Sequence, residues 1–276
     1  MYNINSHCFN FKNINLKNGI FDNFIDATYV ITLEKSKRHE SMYRQLYKYK
    51  PSSNIFIYMN KGFENCKKKL VKQNTSNDLT NSNYNILIHA QKNNFNNILV
   101  LEDDFLFNNR ILNKEYTNDI KNFITSRKNT ELFCYSLGSL PILFKNIYGN
   151  HYDIFGLATH SIIYPKQTIN KLIDYINYLY ENNKNNDIDM LNNKIIKRYI
   201  YKIPLCCQTF PETKNSKSTW PIILQHLVKI GRKYLSIDKK DKIFEAYDKI
   251  YNFLKYFQLI LILIIIFFLL HKFSFK

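Results

Sequence analysis

Short apolar runs alternate along the chain with segments whose apolar positions recur every three or four residues. Residues 28–33 (TYVITL) read as a buried strand, and 37–49 follow with Met42, Leu46 and Tyr49 at helical spacing. Residues 54–59 (NIFIYM) and 98–101 repeat the strand pattern, with further strands expected at 132–136 and 159–164. Helices are expected over 63–72, 84–93 and 167–180, the last with Ile169, Leu172, Ile173, Ile176 and Leu179 on one face, while 76–82 read as a polar loop. This strand, helix, strand order predicts an α/β sheet covered by helices. No internal repeat interrupts it, and asparagine clusters such as 182–186 read as loop.

Residues 259–270 (LILILIIIFFLL) are twelve consecutive large apolar residues. Adding Phe253, Leu254, Tyr256 and Phe257, with Lys255 snorkelling, gives about eighteen residues, or about 27 Å of helix, close to the hydrocarbon thickness of a bilayer. The twelve would favour insertion by roughly 4 to 7 kcal/mol. A C-terminal transmembrane helix over 253–272 is therefore expected, a tail anchor at a membrane. It would follow a polar leader (1–26), a main domain (27–222) and a helical juxtamembrane segment (223–252). Lys239, Lys240, Lys242, Lys249 and Lys255 precede the run while Lys272 and Lys276 follow, which places the large N-terminal domain in the cytosol.

Composition narrows the partners. Lys+Arg number 39 against 22 Asp+Glu, a formal net charge of +17, but Asn, Ile, Tyr and Phe are inflated together, as an AT-rich coding sequence would impose. The basic residues form no arginine-rich helix, so no specific nucleic-acid partner is expected. Five cysteines without C-x-x-C spacing indicate neither a zinc site nor a disulfide scaffold, which suits a reducing compartment. The N-terminal stretch lacks the apolar run of a secretory signal. The six glycines form neither G-x-G-x-x-G nor a phosphate loop, against Rossmann dehydrogenases and P-loop NTPases.

The densest chemical signal is 98–107 (ILVLEDDFLF), where a buried strand runs into Glu102, Asp103 and Asp104. At the C-terminal end of a parallel strand such acids face the crevice where α/β proteins bind ligands, and a divalent cation would offset their repulsion. Glu102 and Asp104, two apart on an extended backbone, would point to one side and Asp103 to the other. The plainer alternative is an acidic turn. Asp187 and Asp189, in NNDIDML after a long helix, are candidates for a second carboxylate site or for a helix N-cap and first-turn acid. His151 and His160 are candidates for an extra metal ligand or for structural histidines, and Trp220 for sugar stacking or core closure.

These segments resemble, in order, the blocks of glycosyltransferase family 25, which includes bacterial lipooligosaccharide and procollagen galactosyltransferases. YVITLEKSKRHESM is similar to that family's I-N-L-x-R-x-x-x-R-x-x-M, with Arg38 at the second basic position and Thr32 in place of Asn. IHAQKNNFNNILVLEDD resembles its S-H-x-x-x-W...N...ILEDD block, with His89 at the His and Ile88 replacing Ser. ATHSIIYP resembles its H-A-Y-I-I-S strand, NDIDML its P-x-D-x-x-L acid, and PLCCQTF...NSKSTW its closing P-L-x-x-Q...S segment. The resemblance spans about residues 27–220. It implies a GT-A-like (nucleotide-diphospho-sugar transferase) mixed sheet flanked by helices. It further implies a metal-dependent inverting transfer of a hexose, galactose or glucose, from a UDP-sugar to a hydroxyl of a protein or glycan acceptor. By that resemblance Glu102 and Asp104 hold Mn²⁺ or Mg²⁺, and Thr32, Leu33, Arg38, His89, Asp103, Gln208 and Ser216 serve the donor. Asp189, with Asp187 beside it, supplies the base that takes the acceptor's proton. The alternative is an inactive, membrane-tethered binding module of the same fold.

Overall fold

The computed structural model describes residues 6–127, 131–185, 187–208 and 222–274. The alternating pattern folds as an α/β structure around a large mixed sheet. Its strands are β1 (Phe9–Asn15), β2 (Ala27–Leu33), β3 (Asn54–Asn60), β4 (Asn97–Glu102), β6 (Phe133–Ser136), β7 (Leu140–Tyr148), β8 (His151–Leu157), β9 (Ser161–Pro165) and β10 (Lys197–Tyr201), in the order β1-β3-β2-β4-β9-β6-β10-β8-β7. A small antiparallel pair joins β5 (Phe105–Phe107) to β11 (Cys206–Gln208). β2 lies parallel to both β3 and β4, with Thr28 opposite Ile55 on one side and Leu99 on the other. Such neighbours need crossover connections. These are supplied by α1 (His39–Tyr49), between β2 and β3, and α2 (Thr75–Lys92), between β3 and β4.

Strand side chains alternate between two faces. On β2, Val30 joins a core with Met42, Leu46 and Tyr49 of α1 and with Ile120, Phe123 and Ile124 of α3 (Lys114–Arg127). Tyr29 and Ile31 face a second core built from α2, α4 (Lys166–Glu181) and α5 (Ile188–Ile195). The expected amphipathic stripe of α4 is buried there in full. At about 1.5–3 kcal/mol for each large aliphatic side chain, those five residues supply a large share of that face's stabilisation.

Two local expectations fail for physical reasons. Residues 76–82 are helical, because Asn74 caps α2 by accepting from the Asn77 amide (2.9 Å) and the buried Asp78, Ser82 and Asn85 find side-chain partners. Residues 63–66 form a turn and 67–72 an irregular segment instead of a helix, starting from Gly62 at φ +78° and the bonds Asn65 N to Gly62 O and Cys66 N to Gly62 O. The segment expected as a polar leader contributes β1, an edge strand paired with β3 from Phe9↔Asn60 to Asn15↔Asn54. Cys8, just before it, is joined to Cys66 in a disulfide, which corrects the expectation of unpaired cysteines and removes their argument for a reducing compartment.

The tail anchor is also corrected. Among the described residues no helix is long and apolar enough to cross a membrane. The C-terminal segment forms α6 (Ile222–Leu235) and α7 (Ile243–Ser274), and the first half of α7 is docked on the sheet. Ile243, Ala246, Tyr247 and Tyr251 are buried with Tyr152, Ile154 and Ile200. Lys255 donates to the Tyr152 hydroxyl (3.0 Å) instead of snorkelling, and Gln258 both accepts from Phe144 N (2.8 Å) and donates to Phe144 O (2.6 Å). Lys255 and Gln258 are thus engaged by the domain, while Phe253, Tyr256 and Phe257 stay exposed. The uninterrupted apolar run 259–270 is by itself about 18 Å of helix at about 1.5 Å per residue, against a hydrocarbon core of about 30 Å. The transmembrane part of the expected fold, the membrane localisation and the lysine-based orientation fall with it.

Candidate functional site

A cleft of about 510 Å³ opens at the C-terminal ends of β2, β3 and β4. Thr32, Leu33 and Arg38 line one side, the 61–65 turn and the start of α2 another, and Glu102 and Asp103 its inner end. This is the position at which parallel strands present ligands, and the size is that of a small-molecule site. A buried network supports the 61–65 wall. Lys68 pairs with Asp78 and Asn60, Asn60 Nδ2 donates to Ser82 Oγ (3.0 Å), and Phe63 N donates to Asp78 Oδ2 (2.9 Å). Burial lowers the Lys68 pKa against the pull of Asp78.

The three acids do not lie on one extended backbone, since β4 ends at Glu102 and Asp103–Asp104 form the turn into β5. Asp103 is committed to the β2–α1 connection. Its Oδ2 accepts from Thr32 Oγ1 (2.8 Å) and Ser36 Oγ (2.6 Å), and its Oδ1 from Arg38 (2.9 Å). Asp104 Oδ2 accepts from Gln208 Nε2 (3.0 Å) and Arg38 (3.3 Å), whereas its Oδ1 is buried with no partner among the described residues. Glu102 Oε1 accepts from Thr159 Oγ1 (2.8 Å). Burial, reinforced by Asp104, pushes the Glu102 carboxyl up to about 8. Burial also raises Asp104 to about 6, with Arg38 opposing. Two carboxylates whose charges repel are the arrangement a cation relieves.

Asp189 stands in the first turn of α5, and its charge contributes to the rise at Glu102. Its Oδ1 is paired with Arg198 (3.3 Å), and its Oδ2 accepts from Ala158 N (3.3 Å). Burial raises its pKa while Arg198 holds it down. Arg198 is fully buried on β10, donating also to Ser136 Oγ (3.1 Å), Gly156 O (2.8 Å) and the Ala158 carbonyl. Ala158 sits at φ +75°, a left-handed conformation that costs an alanine about 1 kcal/mol and that Arg198 and Asp189 hold from both sides. Asp187 has a different duty. It is the N-cap of α5, accepting from Asp189 N (3.0 Å) and Met190 N (3.3 Å), with Ser76 Oγ on its other oxygen (2.5 Å).

The structure therefore brings together Thr32, Arg38, Glu102, Asp103, Asp104, Gln208 and Asp189, with Leu33 half exposed at the cleft mouth. It does not bring His89 there. That ring is packed between Phe11 (4.3 Å) and Phe56 (4.8 Å) and shares a hydrogen bond with Tyr29 OH (2.7 Å). His151 is stacked on Phe123 (4.0 Å) and bonded to Tyr135 and Asp119, a structural role. His160 follows Thr159 and accepts from Glu102 N through its carbonyl. Its ring is wholly buried, with neither nitrogen hydrogen-bonded among the described residues. Ser216 and Trp220 lie outside the described residues.

Four site residues escaped the sequence. Ser36 and Thr159 carry no distinguishing pattern, Ala158 is special only in its φ, and Arg198 reads as a solvated charge within KRYIYK. The one usable signal for Arg198 is its place between the apolar Ile196 and Ile200 on a two-residue period, which puts it on an inward face. No protein-family model matches the chain, and no curated protein matches it.

Proposed function

We propose that the protein is a hexosyltransferase that takes a nucleotide-sugar donor, a UDP-hexose, into this cleft and passes the hexose to a hydroxyl of a protein or glycan acceptor. The observation that supports this most is the grouping, at the C-terminal ends of three parallel strands, of a small-molecule cleft with Glu102, Asp103, Asp104 and, across the β9 entry, Asp189. The ordered resemblance to glycosyltransferase family 25 adds the reaction type, and the mixed α/β sheet suits its GT-A-like reading.

The residues fit a divalent cation, Mn²⁺ or Mg²⁺. Asp104 carries a buried, unpartnered carboxylate oxygen, Glu102 is destabilised by its charge, and both are the hard oxygen donors such ions take. Among the described residues Glu102 and Asp104 belong to no group of three histidine, cysteine or carboxylate atoms within 4.8 Å of one another, so donor phosphate and water would have to complete the coordination. When bound, the ion would neutralise the charge that develops on a leaving diphosphate. Arg38 is fixed on Asp103 and Asp104 with its side chain 35% exposed, and turns its remaining donors to the cleft for phosphate oxygens. Thr32 and Ser36 hold Asp103 and so set the wall. Asp189, its carboxylate oriented by Arg198 and Ala158 N, accepts the acceptor hydroxyl's proton. Its raised pKa improves it as a base, and attack from its side inverts the anomeric carbon.

The test is thermal unfolding of the full chain with UDP-, GDP- and CMP-sugars, each with and without Mn²⁺. A rise in Tm confined to a UDP-hexose together with Mn²⁺ is expected. A folded protein that responds to no donor overturns the reading.

A further inference from the structure

The residues least used by the proposed reaction lie at the other end of the same wall. Cys8, at the end of the 3₁₀ turn Ser6–Cys8 that leads into β1, and Cys66, at the end of the 61–65 turn, are joined in a disulfide across 58 residues. The exposed His7 adds a ring nitrogen, so that an imidazole and both sulfurs offer their ligand atoms within 4.8 Å of one another. Among the described residues this is the only such group of histidine, cysteine and carboxylate atoms. The backbone holds the pair together independently of the disulfide, because Lys61 N donates to Cys8 O (3.0 Å) and β1 is paired with β3 along its length.

We propose that His7, Cys8 and Cys66 form a redox-gated site for a thiophilic divalent cation, zinc by the chemistry of its donors. In the oxidised state the sulfurs are bonded to each other and cannot ligate. Reduction by an external dithiol breaks the S–S bond. The dithiol is oxidised to its own disulfide, and its two electrons and two protons pass to Cys8 and Cys66. Zinc then displaces those two protons, and two thiolates with a neutral imidazole make a Cys₂His set, leaving one position for water. Zn–S bonds of about 2.3 Å at a tetrahedral angle require the sulfurs to stand about 3.8 Å apart. Side-chain rotation supplies that separation with the Cα atoms at their present 5.6 Å. The cation would replace the disulfide as the tie between the sheet edge and the 61–65 wall of the cleft, so that the wall keeps its anchor in either state. Hard cations at Glu102 and Asp104 do not compete, because thiolate and carboxylate sites select opposite classes of ion.

The experiment is a Co²⁺ titration of the full chain, before and after reduction with a phosphine that does not chelate, followed by displacement with Zn²⁺. Reduced protein is expected to develop the thiolate charge-transfer and tetrahedral ligand-field bands at one Co²⁺ per chain, bleached by one Zn²⁺, and the unreduced protein neither. His7→Ala, at an exposed position that leaves the disulfide in place, should weaken Co²⁺ on the order of tenfold or more, and Cys66→Ser should abolish the bands. Reduced wild type without the bands overturns the site, as does full binding by Cys66→Ser, which would put the ion on Cys134, Cys206 or Cys207. Equal binding before reduction overturns the gate.

Discussion

Asp103 and Asp104 are adjacent in sequence and opposite in duty, and substitutions should separate them. Asp103 has every oxygen engaged by Thr32, Ser36 and Arg38, so its loss loosens the β2–α1 connection, whereas Asp104 keeps an oxygen without a partner. Asp104→Ala is expected to keep a native circular-dichroism spectrum while losing the Mn²⁺-dependent rise in Tm. A variant with the full cation response would remove Asp104 from the metal site. Arg198 makes the opposite kind of prediction. It is fully buried, and taking away Asp189 or the arginine leaves the other charge uncompensated. Arg198→Met should cost about 3–5 kcal/mol in urea unfolding, and Arg198→Met with Asp189→Asn distinctly less, because the stranded carboxylate is gone. Additive losses in that cycle would mean that the pair is not coupled.

At the scale of an element, α5 shows how a cap and a site share one turn. Asp187 caps the helix that carries Asp189, so Asp187→Ala is expected to lower stability by about 1 kcal/mol, within the 0.5–2 range of N-cap losses. Asp189→Asn keeps the cap but leaves the buried Arg198 without its counter-charge, so it should cost about 3–5 kcal/mol as well as abolish sugar transfer in the donor assay. If Asp187→Ala abolished transfer with no loss of stability, the two roles would be reversed. The elements legible in advance were those whose burial is periodic, such as β2, β4 and α4, because core faces write their spacing into the sequence. The start of α2 was not legible, since Asn77, Asp78 and Ser82 are buried polar residues whose partners, Asn185, Lys68 and Asn60, lie outside the helix. The acidic cluster could be seen as a run of charges. Its division into a structural Asp103 and an open Asp104 depends on Ser36 and Arg38 on one side and Gln208 on the other, contacts across 65 to 104 residues that no local pattern encodes.

For the whole molecule, apolar length alone proved a poor guide to the C-terminal run, because half of α7 is held by Tyr251, Lys255 and Gln258 against the sheet. Buried charge governs the molecule's response to pH in a way that individual residues conceal. His160 is wholly buried and its pKa is lowered to about 3 by that burial, so the unfolded chain binds this proton more readily. Stability from His160 is therefore present above the unfolded value of about 6.5 and lost as pH falls from there toward 3, at about 1.4 kcal/mol per unit. Glu102 and Asp104 act in the other direction. Their folded pKa values of about 8 and about 6 exceed the unfolded ones, so they contribute stability at low pH that is lost as pH rises through those values. Between pH 6.5 and 5 the two trends oppose each other, and wild-type protein with a chelator present should show a shallow urea profile. His160→Gln should remove one arm, leaving a variant that gains stability on acidification relative to wild type by about 2 kcal/mol over that interval. Glu102→Gln should remove part of the other arm and lose stability over the same range. Parallel profiles for wild type and His160→Gln would mean that the ring is hydrated or hydrogen-bonded in the folded protein and that its burial does not set the acid limit.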